Sequence, residues 1–585
     1  MPSAIGGDEW DLPRLKASIG FEDDFQYLSS DDQQDTEFFD VKFYPYGDVT
    51  HDPVFAAISK KHIVIYRLST KANPPYELIQ LFRDDDKEAL NCSCTWSKDP
   101  ETEAPYLCVA GRDAKIKVYD VVHGKLVKVL IGHGGEINDL ATCPTDFLLI
   151  ASASEDTTVR IWSLDPAHSK QPCVCLLAGE GHSSGLLTVA FHNGGRYVLS
   201  AGHDNVISLW TLPDLPPKTN DKNPPQPIVI HYPHFFTSEV HSGIVDCVAF
   251  FGDLVLSRAC HEDIIVLWRI EGFSSRDPVP AASEAPTTSD TERLTRSAFA
   301  PATAASACPP QYTRLLEFWT PHCGHQFYLR FRLFHDRDRH PVLAFGNAKA
   351  TVFFWDLARL GGYRDFVEEL REQRRDPTLP PVRRPAWLQP IQHRQQQNHA
   401  HAHHHHGGST RGDTVGRLRD AVNSDKDSVA SGRTGSVDIA SVAENTTATA
   451  AAAADSSYSS YTSYGYPTQR YSQETLDAWE LKYDMTRVEE PVRAHAQSSI
   501  TVKDFVGRQV AWSPRGEWCV VVGSKNLAIV LQRWQHATAG GSHAGASASE
   551  SAGAGAGAGG GGGGDDASVK KENEADDVAD RKGNE

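Results

Sequence analysis

Two sets of residues in this sequence have side chains that could do chemistry together. His133, Ser152, Asp156 and Trp162 fall within one stretch, and His182, Ser200, Asp204 and Trp210 repeat the set in the next. A histidine beside a serine and an acid can relay protons. The tryptophan and the repetition point elsewhere. An indole N–H only donates, so each set can close as a chain of hydrogen bonds tying a turn to the strands beside it. A third copy holds His241, Ser257 and Trp268 with one extra residue between serine and tryptophan, which leaves Glu262 or Asp263 as its acid. These histidines read as structural. No Gly-rich phosphate loop with its lysine is expected, and no nucleophile elbow. The chain is therefore expected to be no enzyme and to need no cofactor.

Metal chemistry is equally thin. The pairs Cys92/Cys94 and Cys173/Cys175 are spaced as Cys-x-Cys. On a strand such pairs lie on one face, and no second pair stands at zinc spacing. The eleven cysteines read as reduced, mostly buried thiols. The histidine tract at 399–406 reads as low-complexity sequence. The expected metal content is none.

The elements that position these residues come from a repeat. GHGGEINDLATCPTDFLLIASASEDTTVRIW spans 132–162, and related copies span 181–210 and 241–268. The first two run from Gly-His, and the third from His241, through a strand, a turn, an apolar strand into serine, a turn, and a strand ending in tryptophan. A fourth strand follows, which makes one propeller blade. Weaker copies at 38–68, 91–121, 326–357 and 508–534 keep the pattern and an aromatic near the end of the third strand. The predicted class is all-β: a seven-bladed WD40 β-propeller with a long disordered insertion and tail. Its expected parts are a flexible N-terminal segment (1–36), blades one to six (37–357) and a largely disordered insertion (358–504). Blade seven (505–536) and a disordered Gly/Ala-rich, charged tail (537–585) follow. Within the insertion, Leu360, Tyr363, Phe366 and Leu370 follow helical spacing. Ser472 can cap a second helix carrying Leu476, Trp479 and Tyr483.

Charge narrows the partners. Acids outnumber bases 76 to 57, a formal charge of -19. A surface built on phosphate contacts needs the opposite balance, so sequence-specific nucleic-acid binding is not expected. An acidic surface suits basic protein partners, histone tails among them, and also keeps a protein soluble. No apolar run reaches the roughly 18 residues of a spanning helix, and the N-terminus has no secretory pattern. The chain is expected in the cytosol or nucleus, away from membranes.

The blade sequences resemble the embryonic ectoderm development (EED) and extra sex combs family, the WD-repeat subunits of Polycomb repressive complex 2. The residues that carry this are GHGGEINDL at 132–140, IHYPHFFTSEVHSGIVDCV at 230–248, VDCVAFFGDLVLSRAC at 245–260 and FYLRFR at 327–332. The insertion is similar to those of filamentous-fungal members. The resemblance implies a non-catalytic core subunit of a histone H3 lysine-27 methyltransferase complex, resident in the nucleus. It implies an enhancer-of-zeste-type catalytic partner, other Polycomb subunits and the histone H3 tail. It also implies an aromatic cage for trimethylated lysine, whose ring faces hold a quaternary ammonium that cannot donate hydrogen bonds. The matching positions are Phe39, Phe327 and Tyr328, with Cys92 where animal members have a tyrosine. Asn138 and Arg508 match residues that contact the peptide. A second reading is a substrate receptor of a cullin-type ubiquitin ligase. Its Trp-Asp-x-Arg box finds only WDLAR at 355–359, where Arg359 falls one position late.

Overall fold

Short apolar runs separated by tight turns pair with their neighbours, and here they pair into sheets that bury both faces. The middle strands show it. Val54–Ser59, Asp146–Ser154 and Trp518–Gly523 are buried along most of their length. Strands this apolar on both faces need a sheet on either side.

The computed structural model describes residues 11–21, 36–48, 50–86, 90–215, 226–287, 294–299, 311–337, 339–391, 471–487 and 490–533. The His tract at 399–406 and the tail from 537 lie outside them. Seven antiparallel sheets follow one another, each running outward from a first strand. Those first strands are Phe38–Phe43, Asn91–Lys98, Ile137–Cys143, Leu186–Phe191, Val245–Phe251, Arg332–Phe334 and Gly507–Trp512. Each touches the next, and the seventh touches the first, so the sheets close as a seven-bladed propeller.

Two segments depart from the expected boundaries. Residues 1–36 were expected to be flexible, yet Arg14–Gly20 is the outer strand of blade seven, antiparallel to Leu527–Gln532. The first blade to be made is thereby tied to the last. Among its side chains only Ile19 is buried, so the strand is held by backbone pairing and carries little apolar pattern. The second departure is Ala496–Ser499. It lies inside the span taken as insertion and forms the outer strand of blade six. Its side chains are polar or small and half out of the core, which hides it for the same reason.

The links between blades also add strands. Ile228–Ile230 joins blade three in parallel, and Thr295–Ser297 joins blade four. The insertion carries two helices, α1 (Leu357–Arg375) and α2 (Gln473–Tyr483). Asp356 caps the first by accepting from the Ala358 amide, and Ser472 caps the second by accepting from Thr475. Tyr363, Phe366, Leu476, Trp479 and Tyr483 form one apolar cluster between them, while Leu360 enters the core shared by blades five and six.

The histidine sets close as hydrogen-bonded chains. His133 Nδ1 lies 2.8 Å from Asp156 and its Nε2 lies 2.6 Å from Ser152 Oγ, which also accepts from Trp162 Nε1 at 2.8 Å. His182, Asp204, Ser200 and Trp210 repeat this, with Trp210 to Ser200 at 2.8 Å. In the third set the acid is Glu262, 2.6 Å from His241. The glycine before the first two histidines has a steric reason: a Cβ on Gly181 would stand 2.3 Å from the Trp210 ring. Residues 181–185, GHSSG, spell Gly-x-Ser-x-Gly. They run from a turn into the strand Leu186–Phe191 and do not make the strand-to-helix turn of a nucleophile elbow.

Burial opposes ionisation of Asp156, Asp204 and Glu262. The histidine bonds and backbone amides outweigh it and hold all three carboxyls below their ordinary range, Glu262 at about 2. A depressed folded-state pKa stabilises fully above the unfolded value and is lost as pH falls through the folded one. Thermal melts are expected to show no loss from these groups above about pH 5, then a decline from about pH 4.5 toward 2. Glu262→Gln should remove part of that decline. Ser152→Ala strands one buried donor, Trp162 Nε1, and one buried acceptor, His133 Nε2, and should cost about 1–3 kcal/mol in urea denaturation.

Candidate functional site

In six blades the first strand starts with one residue too many. Phe38 pairs with Ser59 and Asp40 with Ile58, which leaves Phe39 without a partner. The same shift isolates Cys92, Asn138, Leu187, Asp246 and Arg508. A bulge bends its strand and re-aims the extra side chain. One such residue per blade, at the same end of each first strand, makes a ring of side chains at one mouth of the central axis. Four of the residues singled out from sequence, Phe39, Cys92, Asn138 and Arg508, occupy this position.

Phe327 and Tyr328 precede the first strand of blade six. Their rings are 5.7 Å apart, with Phe327 exposed and Tyr328 half-buried. Tyr328 takes a φ of 60°, rare for a residue with a side chain. Its hydroxyl donates to Asn138 Oδ1 at 2.5 Å. Burial, with Cys92 beside it, raises this hydroxyl well above its ordinary value, so it stays protonated and donates. Asn138 Nδ2 in turn donates to Glu155 at 2.6 Å and to Leu186 O at 2.8 Å. Arg508 grips Glu37 through two nitrogens, at 2.6 and 3.1 Å, and donates to Phe327 O at 2.8 Å. Cys92 is a neutral thiol, its pKa raised by burial and by Glu136, and its Sγ lies 3.1 Å from Ile137 O.

The structure thus brings Phe327, Tyr328, Asn138 and Cys92 together and ties Phe327 to Arg508. Phe39 makes no ring contact with Phe327 or Tyr328 among the described residues. It is linked to them through Glu37, two residues before it, and the Arg508 guanidinium that Glu37 shares with Phe327 O. Asn138 and Arg508 both already bond within the chain.

Beneath the mouth lies a residue that the sequence reading missed. Arg330 reaches across the axis from blade six to blade three. It bonds Asp139 at 2.9 Å, Asn138 O at 3.2 Å and Leu187 O at 2.6 Å. Its guanidinium lies 5.4 Å from the Tyr328 ring centroid. Burial works against its charge, but Asp139 and Asp40 outweigh it and raise its pKa. Arg330 therefore closes the pocket from below as a charged, neutralised floor. Glu136, Glu155 and His203 also line the mouth, with His203 6.4 Å from Phe327 and 3.6 Å from Glu155. Among the described residues no three His, Cys, Asp or Glu side chains are placed to hold a metal. Arg359 of WDLAR is folded back onto Asp356 at 3.1 Å, its side chain 13% exposed.

Comparison with known proteins comes at this point. The family described as WD domain, G-beta repeat matches residues 124–163 and 173–211. The Polycomb protein EED of Chaetomium thermophilum is 48% identical over 90% of this chain and 96% of its own length. The Polycomb protein esc of Drosophila melanogaster is 33% identical over 37% of this chain and 52% of its own. A crystal structure of the Chaetomium thermophilum Polycomb repressive complex 2 contains a chain 46% identical, with a TM-score of 0.72, covering 90% of this chain and 98% of that one. A further structure of that complex, with H3K27me3 bound, aligns equally well at a TM-score of 0.72.

Arg330 makes a direct test of this floor. Arg330→Leu would leave Asp139 buried without its counter-charge, at a cost of about 3–5 kcal/mol. The denaturation midpoint should drop accordingly. A shift no larger than that of an exposed arginine variant such as Arg67→Leu would show that the guanidinium does not span the axis.

Proposed function

The chain belongs to the Polycomb EED family, and on that basis we propose that it is the WD-repeat subunit of a Polycomb repressive complex 2 acting on histone H3 lysine 27. In this reading it works in the nucleus, on chromatin, and performs no chemistry itself. An enhancer-of-zeste-type methyltransferase and the other Polycomb subunits dock on the propeller, and the histone H3 tail enters the mouth described above. The observation that carries the reading is the aromatic pair Phe327–Tyr328 at the mouth ringed by the bulge residues, Phe39 and Cys92 among them. Methylated lysine needs ring faces, because a trimethylammonium offers no hydrogen to an acceptor.

The peptide groups have roles of their own. Tyr328 is fixed by its bond to Asn138, so its ring is oriented before ligand arrives. A peptide backbone would compete for Asn138 with Glu155, and for Arg508 with Phe327 O. Such exchange couples peptide binding to the loop that precedes blade six. Coupling of this kind between the mouth and the docked enzyme is typically about 1–3 kcal/mol. The ubiquitin-ligase alternative gains no support from Arg359, which is bonded to Asp356.

Removing one ring face should weaken a trimethyl-lysine H3 peptide by about 1–2 kcal/mol, near tenfold. Phe39→Ala and Tyr328→Ala are each expected to show this in calorimetry while still co-purifying with the methyltransferase subunit. Unchanged affinity in both variants would remove the cage. The isolated chain with methyl donor and histone should transfer no methyl groups.

A further inference from the structure

Cys92 leaves one side of the mouth without a ring, and the charged side chain that acts most strongly on its thiol is Glu136. It sits one residue before Ile137–Cys143, the first strand of blade three, and is half-buried. Two contacts fix its place. The Cys92 thiol donates to the carbonyl of Ile137, the residue after Glu136, and the Glu155 amide donates to Glu136 O at 2.8 Å. Glu136 also acts electrostatically on Cys92 and on Tyr328. Its own carboxylate makes no hydrogen bond and no ion pair among the described residues. Glu155 presses on it as a like charge and Arg112 attracts it from farther off. Glu155, by contrast, is occupied by Asn138.

A half-buried carboxylate with no protein donor among the described residues, close to a ring and a neutral thiol, is free to take a cationic donor. A trimethylammonium can satisfy only the charge. A dimethylammonium keeps one N–H and can satisfy both charge and hydrogen bond. We propose that Glu136 stands in for the missing ring at Cys92 and gives the pocket a hydrogen-bond acceptor for dimethylated lysine, so that this chain retains the dimethyl mark alongside the trimethyl one. The inference rests on the methyl-lysine reading of the mouth. It adds a residue that sets which methylation state is held. A site built around such an acceptor discriminates through the bond that the wrong ligand cannot make.

The test is calorimetry on the full chain with two H3 peptides, dimethylated or trimethylated at lysine 27. The readout is the ratio of their dissociation constants, which a general loss of folding would not change. Glu136→Gln keeps the shape and removes the charge. It should weaken the dimethyl peptide by about tenfold and the trimethyl peptide by less than threefold. Glu136→Asp should recover part of the dimethyl affinity. Cys92→Tyr, which rebuilds a ring, should move the ratio toward trimethyl. If Glu136→Gln leaves the ratio where it was while Tyr328→Ala weakens both peptides about tenfold, the role of Glu136 is wrong and the cage stands. If Tyr328→Ala leaves the affinity for both peptides unchanged, the cage itself is wrong, and this inference goes with it.

Discussion

The ring depends on one hydrogen bond repeated from blade to blade. In four blades the residue after the bulge turns a polar side chain toward the neighbouring blade and accepts from its backbone, while in blade five the Cys247 thiol donates to Phe331 O at 3.7 Å. Asp40 of blade one accepts from the Cys94 amide of blade two at 2.9 Å. Ser93 accepts from Leu140 at 3.1 Å, Asp139 from Val189 at 3.0 Å and Thr188 from Val248 at 3.4 Å. Gln509 of blade seven closes the circle by donating to Asp40 at 3.1 Å. The four bonds from backbone amides each satisfy a buried donor on the first strand of a blade. Left unsatisfied, such a group would cost about 1–3 kcal/mol.

The same bond explains why the mouth can be a site. Because the girdle residue faces the next blade, the bulge residue just before it is released from pairing and faces the axis. Where blade six breaks the pattern, Arg330 takes the position and crosses to Asp139 instead. The crossing closes the axis below Tyr328 and turns a through-channel into a blind pocket. Its charge would repel a cationic ligand were it not offset by Asp139 and Asp40. Recognition at the top and cohesion beneath it therefore share one set of charges, and Tyr328 is braced by the strand that carries Asp139.

The fold was largely legible because blades announce themselves. Gly-His, the serine and the tryptophan recur at near-constant spacing, and the alternation is strong in strands buried on both faces. The strands that escaped, Arg14–Gly20 and Ala496–Ser499, lie on outer edges where backbone pairing does the holding and side chains carry little pattern. The girdle did leave a trace: a polar residue followed by an apolar one in FDV, CSC, NDL, LTV and RQV. Its meaning was not legible, because neighbours across an axis share no sequence distance. Arg330 lies 191 residues from Asp139. Aromatic type marked Phe39, Phe327 and Tyr328 only through resemblance, since nothing local separates a ring that faces a pocket from one that faces a core.

The insertion between the third and fourth strands of blade six raises the question of how a ring tolerates an interruption of this size. Closure entropy grows only as the logarithm of loop length, about 0.6 kcal/mol per doubling, so length alone is affordable. What the blade needs is that the chain returns to the right edge. The helices α1 and α2 supply that return. Leu360 anchors α1 in the core of blades five and six. His495 donates to the α2 carbonyl of Lys482 at 2.8 Å, and the Arg493 amide donates to Leu481 O at 2.9 Å. The Ile391 amide donates to Thr475 Oγ1 at 3.2 Å, so the chain leaves and re-enters this helical pair at one point. Ala496–Ser499 thereby meets its partner strand from a fixed point of return. The helical pair acts as a clasp on the last strand of the blade.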